Sequence, residues 1–161
     1  MKKIDTKNLC FTAIIMALVF VVTRFIQIPI PLGYFNVGNC VIMLSCLIVP
    51  SPYGIIAGSF GSALADLTSY PAYTVPTLII KFLFPLVFYK LSKTKAGKIP
   101  AELVAAAVST LIPFVGYTIT GGIIYGNIIT GLAQAPGLFL EYIANLIIFA
   151  ALYKPVKKIR L

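Results

Sequence analysis

Four ionisable residues, Arg24, Asp66, Lys81 and Glu141, stand inside stretches that are otherwise apolar. A charge in hydrocarbon is costly, so such residues mark functional positions unless they merely pair with one another. Two are cationic and two anionic, so their charges cancel. The polar company they keep points to recognition. Ser59, Ser62, Asp66 and Ser69 recur at spacings of three and four, which gathers them on one helix face. Thr77 and Lys81 are four apart, and so are Glu141 and Asn145. Tyr34, Tyr70, Tyr73, Tyr117, Tyr125 and Tyr142 fall at or near the same level of the chain's apolar runs. Aromatic rings with a few hydrogen-bonding groups make a small-molecule pocket, and flat heteroaromatic ligands suit it. The competing explanation is two ion pairs that only tie helices together.

Catalysis has less support. The chain has no histidine, which removes the usual nucleophile–base pairings. It carries no GxxxxGK[ST], HExxH or GxSxG motif, so it has no phosphate loop of its own. No cofactor or metal site is expected, since the three cysteines, Cys10, Cys40 and Cys46, form no CxxC. Proton-coupled carriage through Asp66 or Glu141 stays open, and with it a self-sufficient ion- or proton-coupled carrier.

These side chains must be positioned by membrane helices. Of 161 residues 60% are hydrophobic and 11% charged, with a mean hydropathy of +1.00. A soluble domain of this size could not bury so much apolar surface. A bilayer crossing takes about 20 residues as a helix. Six spans are expected, over 8–25, 37–49, 53–69, 76–91, 101–125 and 136–153, forming a single domain over 1–161. The second is short for a crossing. The apolar run after the basic start continues to Phe25 without an A-x-A cleavage site, so it reads as a retained first helix. Two prolines and a glycine make 26–36 a loop.

The net charge of +9 sorts into three clusters: Lys2, Lys3 and Lys7; Lys90, Lys93, Lys95 and Lys98; Lys154, Lys157, Lys158 and Arg160. With six spans all three fall on one side, which the positive-inside rule assigns to the cytoplasm, together with both termini. That distribution is an orientation signal, and no nucleic-acid partner is expected. Arg24, Asp66, Lys81 and Glu141 then share the outer third of the membrane. Ala13 and Ala17 form an A-x-x-x-A on the first helix, and Gly54, Gly58, Gly61 and Ala65 a small-residue seam on the third.

The stretches TRFIQIPIPLGYFNVGN, GIIAGSFGSALADL and SYPAYTVPTLIIK, with Gly116–Tyr117 and Tyr125–Gly126, resemble the S components of energy-coupling factor (ECF) vitamin transporters. The resemblance covers nearly the whole chain and is closest to the hydroxymethylpyrimidine/pyridoxine branch. It implies an all-α fold of six transmembrane helices in a prokaryotic plasma membrane. It implies a vitamin or precursor bound near the outer face, with 26–36 helping to close over it. Hydroxymethylpyrimidine or a B6 vitamer comes first, riboflavin or a cobalamin precursor next. It also implies docking, through Ala13 and Ala17, on a transmembrane coupling subunit carrying two cytoplasmic ATPases. The expected binding residues are Asn36, Asn39, Asp66, Lys81, Tyr117, Glu141 and Asn145. Where many relatives carry acidic residues this chain has Asn39, Phe84, Thr120 and Gly121, so a less acidic pocket is expected, with Glu141 partly compensating.

Overall fold

The computed structural model describes residues 6–30, 33–94 and 99–159. Lys2, Lys3, Lys95, Lys98 and Arg160 of the basic clusters lie outside them. Helix α1 spans Thr6–Phe25. Strands β1 (Gln27–Ile30) and β2 (Gly33–Asn36) follow. Helices α2 (Gly38–Ile48) and α3 (Tyr53–Ser69) come next. A 3₁₀ turn at Pro71–Tyr73 leads into α4, Thr74–Leu91. The chain ends with α5 (Ala101–Ile124), the short α6 (Ile128–Ala133) and α7 (Ala135–Lys157).

Four helical stretches are long and apolar enough to cross a bilayer: Thr6–Phe25, Pro71–Leu91, Ala101–Ile124 and Ile128–Lys157. Helix α3 has 17 residues. Helix α2 has 11, about 16 Å at a rise of 1.5 Å per residue, roughly half of the hydrocarbon thickness. Helices α1 to α5 and α7 follow the expected order, although α2 and α3 are shorter than a full crossing. Two elements depart from that order. Residues 26–36 were expected as a loop, but Gln27–Ile30 and Gly33–Asn36 pair as the antiparallel strands of a hairpin, with Gln27 opposite Asn36 and Pro29 opposite Tyr34. Proline is tolerated because a two-stranded ribbon has free edges, where no donor is needed. The second addition is α6. Gly126 leaves α5 with φ of 68°, and the Asn127 side chain caps α6 by accepting from the Ile129 N–H at 2.9 Å.

Helices α1 and α3 approach closely. A Cβ at Gly61 would lie 2.7 Å from the Met16 carbonyl oxygen and 3.0 Å from Val19 Cβ, so the glycine permits the contact. Gly58 leaves similar room for Ile42 of α2. The apolar core lies toward the basic ends of the helices. There Phe88 meets Phe149 edge-on at 5.7 Å, and Phe149 stacks on Tyr153 at 5.9 Å. Tyr89 on α4 donates to the Val49 carbonyl at 2.6 Å, which secures the end of α2. One to two turns further along α4 and α7, away from the basic ends, the side chains become polar, and a cavity begins.

Candidate functional site

The cavity encloses about 490 Å³ of empty space, including its opening to solvent. Helices α3, α4 and α7 each contribute two residues about a helical turn apart. From α3 come Ser62 and Asp66, from α4 Thr77 and Lys81, from α7 Leu138 and Glu141. Helix α1 supplies Thr23, α5 Tyr117, and the hairpin Tyr34 and Asn36, while Tyr70, Tyr73 and Gln134 sit at junctions between helices. The tyrosine walls come in two pairs. Tyr34 and Tyr70 have ring centroids 5.4 Å apart, Tyr73 and Tyr117 6.3 Å.

Two polar networks organise the walls. In the first, the Asp66 carboxylate accepts from the Tyr34 hydroxyl on one oxygen and from the Thr77 hydroxyl on the other. Thr77 Oγ1 also lies 3.0 Å from the Tyr117 hydroxyl. Burial and the neighbouring Asp66 charge push the Tyr34 phenol well above its ordinary pKa, so it stays a neutral donor. In the second, Lys81 Nζ donates to Asn39 Oδ1, and Asn39 Nδ2 donates to Glu141 Oε1 at 2.9 Å. Lys81 Nζ also stands 5.5 Å from the centroid of the Tyr117 ring, a cation–π distance.

The expected binding residues thus occupy three kinds of place. Asn36, Asp66, Lys81, Tyr117 and Glu141 line the main cavity. Asn39 is 2% exposed and lines a smaller cavity behind it, with Tyr117, Leu138, Glu141 and Tyr142. Asn145 is wholly buried. Its Oδ1 accepts from the Cys40 N–H at 2.7 Å, and its Nδ2 donates to the carbonyls of Asn36 at 3.0 Å and Glu141 at 2.8 Å. It clamps the hairpin and α2 onto α7. Arg24 does not join the other three charges. It is half-buried and lies over the Phe25 ring at 5.7 Å. Tyr125 and Tyr142 also stand apart from the main cavity, Tyr125 being 43% exposed and Tyr142 donating to the Ala107 carbonyl at 3.2 Å.

Gln134 escaped the sequence reading. Its Nε2 donates to the Tyr73 hydroxyl at 3.1 Å. Any side chain at Gly121 would overlap this amide, so Gln134 fills the space left by the missing side chain. Its location in an apolar, glycine- and proline-flanked run gave no periodic signal. Among the described residues no group of three His, Cys, Asp or Glu is placed to hold a metal.

A family model described as "ECF-type riboflavin transporter, S component" matches residues 3–158. The chain belongs to the ECF-type S-component family. S components are the substrate-binding subunits of ECF transporters, so the chain is a membrane protein of transport and substrate binding, and not an enzyme. An uncharacterized protein of Pyrococcus woesei, described by its place in a gap 3′ region, is 35% identical over 112 residues, 67% of this chain and 74% of that protein. A solved structure described as "Structure and mechanism of the S component of a bacterial ECF transporter" superposes with a TM-score of 0.74. It covers 95% of this chain and 96% of that one at 20% identity, which shows the shared fold.

Proposed function

We propose that this S component binds an uncharged heteroaromatic vitamin in the cavity between the hairpin and α1, α3, α4, α5 and α7. The observation that carries the reading is the cavity itself: two tyrosine pairs forming apolar walls, with Asp66, Lys81 and Glu141 held in fixed orientations around it. Riboflavin becomes the first candidate, because the family model carries that name. The hydroxymethylpyrimidine and B6 vitamers expected from sequence come second. Asp66, Lys81, Tyr117, Glu141 and Asn36 are the proposed contacts, with Asn39 and Asn145 holding them in place.

Lys7, Lys90, Lys154 and Lys157 lie at the ends of α1, α4 and α7 remote from this cavity. By the positive-inside rule that end, with both termini, faces the cytoplasm, and the cavity opens outward. Energy then comes from a transmembrane coupling subunit and two ATPases, on which this subunit docks through Ala13 and Ala17. Both alanines are exposed on α1, in an apolar groove against α3 that includes Met16, Phe20, Ile56 and Leu64.

The deciding experiment is titration of the purified protein with riboflavin, hydroxymethylpyrimidine and pyridoxine, read by calorimetry and thermal shift. Tight binding of one, lost in Asp66→Asn, is the expected result. No binding of any of the three, or uptake in cells that proceeds without the ATPases and collapses with an uncoupler, would overturn it in favour of an ion-coupled carrier.

A further inference from the structure

Two hydroxyls in the cavity wall are buried and have no partner among the described residues: Thr23 Oγ1 on α1 and Ser62 Oγ on α3. Thr23 is 3% exposed and Ser62 1%. Burying an unpaired hydroxyl is unfavourable, so native chains normally satisfy such groups. These two helices do so elsewhere. Thr12 on α1 donates back to the Asn8 carbonyl at 2.6 Å, and Ser59 on α3 to the Ile55 carbonyl at 2.7 Å. The same backward bond is open to Thr23 and Ser62, yet neither makes it, and both line the main cavity. A third unpaired hydroxyl, Thr74 Oγ1, lies outside that lining.

The surroundings keep this corner open. A Cβ at Gly38 would collide with both Thr23 Oγ1 and Asn36 Oδ1, so the glycine leaves them room. Asn36 Oδ1 is engaged by the Gly38 N–H at 2.7 Å. The charged groups are also engaged: Asp66 by Tyr34 and Thr77, Lys81 and Glu141 by Asn39. Thr23 and Ser62 thus keep both donor and acceptor capacity unspent, beside the remaining donors of Lys81 and lone pairs of Asp66 and Glu141.

We propose that Thr23 and Ser62 form a specificity subsite on the α1–α3 wall that reads a neutral ligand edge carrying both a donor and an acceptor, such as a ring amide or imide. Each hydroxyl both donates and accepts, so the pair matches such an edge. A site with buried hydroxyls discriminates against a ligand that leaves them unpaired. The inference rests on the vitamin-binding reading above.

The test uses the purified full chain with Thr23→Val, Ser62→Ala and the double variant, probed with riboflavin, hydroxymethylpyrimidine and pyridoxine. Ser59→Ala is the control, because its hydroxyl is already bonded and lies outside the lining. The double variant should bind the recognised vitamin about tenfold or more weakly, with the ligand-free melting temperature unchanged or raised. Unchanged affinity in the double variant, or a lower ligand-free melting temperature, overturns the subsite and leaves the vitamin reading intact. Failure of all three compounds to bind the unaltered protein overturns both.

Discussion

Lys81 and Glu141 carry opposite charges in one buried chamber, yet they are joined through a third residue. The Asn39 amide accepts from Lys81 on its oxygen and donates to Glu141 from its nitrogen. Among the described residues the one direct ion pair is Lys157–Glu102, at the far end of the bundle. A neutral amide thus does the work of a salt bridge while holding the charges apart, which leaves Lys81 and Glu141 at the cavity surface.

Asn39→Ala should therefore destabilise more than its size suggests. It removes one partner from each of two buried charges, and an uncompensated buried charge is worse than an absent one. A loss of about 2–4 kcal/mol is expected by the same reasoning. The triple variant Asn39→Ala, Lys81→Met, Glu141→Gln should recover a large part of it. Unfolding in mild detergent checks this, and equal losses in both variants would sink the bridging role.

The hairpin is held to α3 by the Tyr34–Asp66 bond and by a weaker contact from Gln27 Nε2 to Ser69 Oγ at 3.4 Å. Tyr34→Phe keeps the ring against Tyr70 and removes only the hydroxyl. The expected result is faster hydrogen exchange across 27–36, with global stability reduced by about 1 kcal/mol. Exchange unchanged from the unaltered protein would show that strand pairing alone holds the hairpin.

Much of the site could be read from spacing, because a helix converts intervals of three and four into a common face. That rule gathered Ser62 with Asp66 and Thr77 with Lys81. It fixed direction but not depth. Asn145 shares a face with Glu141, yet one turn deeper it lies under the cavity, tied to three backbone groups. Arg24 lies at the outer end of α1 on a different azimuth, over the Phe25 ring. The hairpin was hidden because prolines and a glycine signal broken helix equally well in a loop and in an edge ribbon. Gln134 was hidden because its role depends on the empty space at Gly121, a relationship 13 residues long that no local pattern records.

Asn145 makes a sharp contrast with the cavity residues. Asn145→Ala removes all three of its bonds to Cys40, Asn36 and Glu141. A loss of about 3 kcal/mol is expected, because buried backbone groups are left unpaired. Vitamin affinity measured well below the lowered melting temperature should fall much less than in Asp66→Asn. A larger fall in affinity than in stability would move Asn145 from clamp to contact.

The docking surface is tested by bulk. Ala13 and Ala17 are small and exposed, one turn apart, and the groove they border is formed mostly by apolar side chains of α1 and α3, with Thr12 and Thr68. Small residues allow close helix approach in lipid, where packing and not water drives association. Ala13→Trp and Ala17→Trp should abolish co-purification with the coupling subunit and ATPases. Ligand binding should persist, since neither alanine lines the cavity that holds Asp66 and Lys81. Loss of both functions would point to a general folding defect. Retention of both would leave the groove an ordinary lipid-facing seam, because two indoles there would occupy the volume into which a partner helix has to insert.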